Sequence, residues 1–330
     1  MRRLLLACLC LLGALSGPAG AATLKIATTA PEGTAWMQEM RRAATEIDKR
    51  TAGRVQFSFY PGGVMGNEKS VLRKIRAGQL QGAALTGSAL ADIYRDVWVY
   101  SLPFALRSYA EVDHVRGKMD AVMLEGLKKG GFVSFGLTDN GFAYLMSNHA
   151  VVRPEDLKGH KVWSPEGDPI SQAAFAAVGV SPVALPLTDV LTGLQTGLVD
   201  TVASSTIGAI ALQWHTRVTH LADLPLLYLT GSLVIDQKAF GQLTPADQQV
   251  VAEVLQAATA KLNRQNRADS EAALRTLRQR GIQFTSASPD DQRRWEQAVG
   301  AAMDRLAAQG VFSAEMLRTL RRHVETYRGR

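Results

Sequence analysis

Residues 22–36 read ATLKIATTAPEGTAW. Leu24 and Ile26 alternate with Thr23 and Lys25, the period of a half-buried strand over 23–29, and the run stops in a Pro/Gly loop. From Trp36 onward Met40, Ala43, Ala44 and Ile47 recur at the spacing of a helix facing a core, with Gly53 just beyond its end. A strand that turns through a loop into a helix is the repeating unit of α/β proteins. The unit recurs along the chain. VQFSFYP (55–61) predicts a second strand, Asn67 caps a helix that turns Val71, Leu72 and Ile75 inward, and GAALTG (82–87) predicts a third strand.

Further strands are predicted at VSFGLTD (133–139), YLMSN (144–148), KVWSP (161–165), VALP (183–186) and TVASS (201–205). Helices are predicted between them, one through Ala173, Phe175 and Val178 and one within 188–200. The last hundred residues change character. Thr244-Pro245-Ala246-Asp247 combines a capping Thr, Pro at the first helical position and an acid in the first turn. No proline or glycine follows before Arg280, so one helix of about 35 residues, or two nearly collinear ones, fits. GIQFTSAS (281–288) predicts a last strand, Ser288-Pro289-Asp290 opens another helix, and 313–327 predicts the final one. No low-complexity linker separates two halves, which implies that the chain crosses between its domains more than once.

The N-terminus sets the expected compartment. Arg2 and Arg3 precede an apolar stretch from Leu4 to Leu15, and Ala19-Gly20-Ala21 is a small-residue cleavage pattern. Residues 1–21 therefore read as a cleaved signal peptide, and the product as a periplasmic protein. Leu5-Leu6-Ala7-Cys8 loosely resembles a lipobox, but most of the apolar run lies after it. Cys8 and Cys10 are the chain's two cysteines and both fall in the removed segment, which excludes disulfides, thiol catalysis and Cys-ligated metals. No later apolar stretch approaches the roughly 18–20 residues of a membrane span. The formal charge of +7 becomes +5 once Arg2 and Arg3 are gone, and the remaining bases are interspersed with acids, a poor pattern for nucleic-acid binding.

Signals of catalysis are missing from the sequence. Its six histidines, His114, His149, His160, His215, His220 and His323, fall in no metal-binding spacing, and His215 and His220 are wrongly spaced for one helical face. There is no nucleophile elbow, no phosphate-binding loop and no dinucleotide fingerprint. Gly62, Gly63 and Gly66 precede a helix, but no Lys-Ser/Thr pair directly follows the last of them, so they serve backbone geometry. Glu166 and Asp168 sit at i and i+2 in a Pro/Gly turn. A non-enzymatic protein without cofactors is expected.

Six motifs then follow one another in order: ATLKIATTAPEGTAW, GRVQFSFYPGGVMGNEKSVLRKIRAGQLQGA, SLPF, LTDNGF, SNHAVVRPEDLKGHKV and LPLTDVLTGLQTGLVD. Together they resemble the DctP family, the solute-binding proteins of tripartite ATP-independent periplasmic (TRAP) transporters. The resemblance implies the two-domain α/β fold of periplasmic solute-binding proteins, with a long connecting helix and a ligand cleft between the domains. It places residues 22–140 with about 229–268 in the first domain, and 141–228 with about 269–330, including the C-terminal helices, in the second. It further implies delivery of a small organic solute, most simply an organic acid, to TRAP membrane permease subunits driven by an ion gradient. A periplasmic sensor subunit docking onto a histidine kinase is the alternative on the same fold.

The chain departs from the family pattern at the ligand. After P-E-D-L-K-G the family's strand usually reads like K-I-R-V-P, and its Arg forks onto the ligand carboxylate. Trp163 stands at that position here, and Ala143 stands where a second base often follows N-G-F. Three readings follow. Trp163 fills the core while Arg73, Arg95 or Lys69 holds the anion. Alternatively, Trp163 walls the cleft, its indole face on the ligand and its N–H donating one bond. In the third, Glu32, Glu166 or Asp168 holds a cation. The second is favoured, because the position matches a ligand-contacting one. The candidate ligand-binding set is Glu32, Trp36, Asn140, Trp163, Glu166, Asp168, Ser204, Ser205, Thr206 and Trp214, most of them at strand ends.

Overall fold

The computed structural model describes residues 21–329. All but the last residue of the expected signal peptide, with Cys8 and Cys10, lies outside them. β1 (Ala22–Ala27), α1 (Ala35–Arg50), β2 (Val55–Tyr60), α2 (Glu68–Arg76) and β3 (Gly82–Thr86) follow the order read from the sequence. Thr34 and Asn67 cap the two helices, their side chains accepting from the N–H groups of Met37 and Ser70. α3 (Gly87–Ala91) begins directly after β3, and α4 (Tyr109–Lys129) leads into β4 (Phe132–Ser134).

β5 (Thr138–Ser147) runs on through ten residues. The sequence predicted two strands here, at 133–139 and 144–148. The break lies elsewhere, at Gly136 with φ +121°, while the strand continues through Gly141 at φ +81°. β6 (Trp163–Pro165), α5 (Pro169–Ala177), β7 (Val183–Leu185), α6 (Val190–Thr196), β8 (Thr201–Ser205), α7 (Thr206–Ala211) and β9 (His220–Ala222) follow. β10 (Leu227–Asp236) is the second ten-residue strand. After α8 (Gln237–Gly241), α9 is a single unbroken helix, Pro245–Gln279. β11 (Gln283–Thr285), α10 (Pro289–Ala308) and α11 (Ala314–Arg328) end the chain.

Nine strands form one sheet in the order β11-β9-β5-β10-β3-β1-β2, with β8 also paired to β5 and β4 to β10. β6 and β7 make a small parallel pair, joined to β8 by a bridge between Val162 and Thr201. β5 and β10 lie antiparallel at the centre. The start of β10 pairs with β5, its end with β3 and β4, and the register shifts between Tyr228 and Thr230. The two long strands therefore run through both halves of the sheet.

α9 also serves both halves. Val251, Leu255 and Leu262 pack with Leu24, Ile26, Met40 and Ile47, while Leu277 packs with Trp163, Val199 and Trp214. Between these packing faces, polar side chains tie the helix to β5. Asn263 accepts from Asp139 N at 2.7 Å and donates to Leu137 O at 3.0 Å, and Asn266 donates to Asp139 O at 2.7 Å. Arg267 Nε donates to the fully buried Asp139 carboxylate at 2.8 Å. α10 packs on α5, whereas Leu317, Leu320 and Val324 of α11 join Val112, Val115 and Met119 of α4 in one core. The last helix thus returns to the first half.

Candidate functional site

A cavity of about 220 Å³ opens where these elements meet. β5 and β10 form its floor with Asn140, Ala143, Leu145, Leu227 and Thr230. One wall comes from the first half: Thr29 after β1, Asn67 to Lys69 at the start of α2, and Thr86 to Ala89 at the start of α3. The opposite wall comes from the second half: Trp163, Glu166 and Asp168 around β6, Thr188 before α6, Ser204 on β8, and Trp214. Two polar contacts span the gap. Lys69 Nζ lies 3.5 Å from Glu166 Oε1, and Ser88 Oγ lies 3.5 Å from Asp168 Oδ2.

Most of the lining is apolar. Trp163 is 4% exposed and Trp214 1%, and their rings meet edge to face at 5.2 Å. The indole N–H of Trp163 donates to Leu185 O at 3.0 Å. That corrects one expectation: the N–H is committed to β7, and the ring is what the cavity meets. Phe104, the last residue of SLPF, also lines the wall, held at φ +59° with its N–H on Leu226 O at 2.7 Å. A non-glycine residue in that region costs on the order of 1–3 kcal/mol and persists where its surroundings impose it.

The charges are unbalanced. Among the described residues lining the cavity, Lys69 is the one base, facing Glu68, Asp92, Glu166 and Asp168. Arg73 and Arg95, the other bases considered, are exposed and outside the lining. Asp168 is buried and caps α5, accepting from Ile170 N, Ser171 N and Ser171 Oγ at 2.9–3.0 Å. Its role is therefore that of a helix cap at the cavity wall. Glu68 opens α2 and accepts from Thr86 N at 2.6 Å and Thr86 Oγ1 at 2.8 Å. The N-terminus of α5 and the N-cap residue of α3 thus each already meet a carboxylate of the chain.

Burial is the largest influence on both carboxyls, and it pushes them above their ordinary values despite these hydrogen bonds. The sign of the consequence follows by linkage. A carboxyl that holds its proton to higher pH when folded stabilises the fold below its unfolded value, and loses that contribution as pH rises through its folded value. Glu68→Gln keeps an acceptor for Thr86 N and a donor for Thr86 Oγ1. It is expected to flatten the decline of stability from about pH 4.5 upward, read by urea unfolding across a pH series. An unchanged pH profile would remove Glu68 from that role.

Of the ten candidates, the cavity brings together Asn140, Trp163, Glu166, Asp168, Ser204 and Trp214. It leaves out the other four. Glu32 is exposed and forked to Arg41 at 2.8 and 2.6 Å. Trp36 packs edge to face on Phe59. Ser205 caps α7, and Thr206 Oγ1 donates to Ser270 O at 3.1 Å, so both hydroxyls support the element rather than the cavity. The three acids considered for a cation do not converge, since Glu32 lies outside the cavity and Glu166 pairs with Lys69. Phe104, Phe175, Leu226 and Trp295 line the cavity without having been singled out. SLPF carried the one sequence signal among them.

Comparison with known proteins identifies the family. Residues 26–309 match the DctP family, described as bacterial extracellular solute-binding protein, family 7. The C4-dicarboxylate-binding periplasmic protein DctP of Rhodobacter capsulatus is 25% identical over 264 residues, 79% of each chain. A solute-binding protein of Verminephrobacter eiseniae is 26% identical over 226 residues, 67% of this chain and 66% of that one. Among solved structures, a TRAP periplasmic solute binding protein from Ralstonia eutropha with bound (S)-2-acetolactate superposes with a TM-score of 0.85 at 20% identity, covering 92% of this chain and 99% of that one. Among the described residues no helix is long and apolar enough to cross a membrane. With most of its length matched and its fold shared, the chain belongs to the DctP family of bacterial extracellular solute-binding proteins.

Proposed function

We propose that this protein is the periplasmic receptor of a TRAP transporter, and that it captures a small monocarboxylate with an apolar body for delivery to membrane permease subunits. The observation that carries the reading is a cavity of about 220 Å³, walled by both halves of the chain, with one base and a largely hydrocarbon lining. Drug-sized pockets run to roughly 300–1,000 Å³, so the space suits a small solute. Lys69 offers one ammonium to one carboxylate, where the family's usual arginine would offer a fork. Its pairing with Glu166 is half exposed on both sides, and such pairs are worth about 0–1 kcal/mol, so a ligand anion displaces it at little cost.

Capture requires the walls to separate. We assign the moving units to residues 22–140 with about 229–268, and 141–228 with the segment from about 269, with α11 riding on the first. Opening bends β5 and β10 near the irregular register at Tyr228 and Thr230, and breaks the contacts of Lys69 with Glu166 and of Ser88 with Asp168. Hinge motion of this kind encloses polar solutes in two-lobed binding proteins. The relatives agree in ligand chemistry: one is named for C4-dicarboxylates, and another holds (S)-2-acetolactate.

The test follows the melting temperature of the mature, ligand-stripped chain against paired solutes, each a short carboxylate and its uncharged amide. A carboxylate present at a thousand times its Kd adds about 4 kcal/mol, several degrees for a chain of this size. Lys69→Ala is expected to abolish the difference between carboxylate and amide while leaving the unliganded melting temperature within about a degree, as for an exposed pair. Equal stabilisation by both members of a pair in the wild type would overturn the carboxylate assignment. A strong carboxylate preference surviving in Lys69→Ala would move the anion to another base.

A further inference from the structure

Among the described residues, one group of metal-capable side chains lies outside the cavity lining: His149, His160 and Asp200. They come from three separate places in the chain, just after β5, just before β6 and just before β8. One potential ligand atom from each lies within 4.8 Å of the other two. The imidazoles of His149 and His160 are stacked, centroids 3.2 Å apart and planes 13° apart.

An ion binds in the plane of an imidazole, so one of the two stacked rings turns when both nitrogens reach the same cation, and the remaining details supply the donors. Nε2 of His149 is buried and has no hydrogen-bond partner, which is costly for a polar atom unless something meets it. Asp200 Oδ1 is held by Lys161 N at 3.1 Å and Thr201 Oγ1 at 2.8 Å. Asp200 Oδ2 lies 3.6 Å from His160 Nδ1, beyond hydrogen-bonding distance. One oxygen is thus fixed by the backbone and the other is left facing the imidazoles, the usual arrangement by which an outer contact orients a metal ligand.

We infer that His149, His160 and Asp200 form a binding site for one borderline divalent cation, best suited to zinc, separate from the solute cavity. Two imidazoles and a carboxylate are zinc's ligands, whereas calcium and magnesium call for oxygens alone. Three protein ligands at a half-exposed position leave a fourth place for water. Occupancy cross-links the end of β5 to the starts of β6 and β8, the strands that carry Trp163 and Ser204 into the cavity wall. The ion's effect is therefore on the stability of that half.

The experiment uses the untagged mature chain, stripped with a chelator, titrated with zinc chloride by calorimetry and followed by imidazole 15N resonances. One zinc per chain is expected at micromolar affinity or tighter, with the His149 and His160 ring nitrogens shifting together and the melting temperature rising. His160→Ala removes a half-exposed ring without a hydrogen bond and is expected to weaken zinc at least about tenfold. Zinc affinity unchanged in His160→Ala, or ring resonances that do not move in the wild type, would overturn the site, as would the absence of binding up to millimolar zinc. Should the variant not fold, the wild-type resonances alone decide.

Discussion

Arg267→Ala is expected to lower the free energy of unfolding by about 3–5 kcal/mol, because it leaves a buried carboxylate without its counter-charge. Asp139 is 0% exposed, and its Oδ2 is met by Arg267 Nε at 2.8 Å. The same guanidinium donates to Asp113 at 2.9 and 2.6 Å and lies 4.7 Å from the Tyr109 ring centroid. The Asp113 contact is largely exposed and contributes little alone, so Asp113→Ala should cost under about 1 kcal/mol. The contrast between these two variants tests the argument. Urea denaturation of both would show it, and equal losses would mean that the Asp139 contact is not the one that matters. A double variant, Arg267→Met with Asp139→Asn, should recover part of the loss, since it removes both charges together.

Trp163→Ala is expected to cost about 3–5 kcal/mol of stability, the range for deleting a buried aromatic. The ring packs with Met146, Val190, Val202 and Trp214 in one core, and its N–H donates to Leu185 O, which the variant leaves with the Glu166 N–H alone. Trp163→Phe keeps most of the ring while losing that hydrogen bond, and should cost about 1–2 kcal/mol. Solute affinity separates the two roles of the residue. If the indole face is ligand wall, both variants bind the solute more weakly than the melting shift alone explains. If affinity in Trp163→Phe equals that of the wild type, Trp163 serves the core behind the cavity, and the ligand rests on the other walls.

Several local signals in the sequence were legible because one residue determines them, although Ser108 and the helix it caps, α4, were not among them. Asn67, Thr244 and Ser288 were readable as helix starts because an N-cap acts through its own side chain, and α9 was readable as one long helix or two collinear ones because nothing in it breaks a helix. β10 escaped. LYLTGSLVID has no polar alternation, since a strand paired on both edges and covered on both faces needs none, and its Gly231 resembles a turn. β5 was divided at the wrong glycine for a related reason: Gly136 and Gly141 look alike in sequence, and pairing decides which one ends a strand.

The site was legible in proportion to its dependence on strand ends. Trp163, Ser204 and Asn140 reach the cavity because the family's strand order carries them there. Glu32 lies in an equivalent loop and Trp36 in the first turn of α1, but Arg41 and Phe59 lie closer to hand. Lys69 entered the reading only as one of three possible bases, because its position depends on how two distant walls approach each other. His149, His160 and Asp200 gave no motif at all, since their proximity is produced by pairing among β5, β6 and β8 rather than by spacing in the chain.

The insertion of β10 between β3 and β5 bears on how the chain is made. β3 ends at Thr86 and its neighbour begins at Leu227, so the 140 residues between them must be synthesised before that edge finds its partner. At about 5–20 residues per second, the N-terminal strands wait roughly 7–28 s with one side unpaired. During that interval the first half has no finished sheet to lock it, and the nascent polypeptide stays pliable until late in translation.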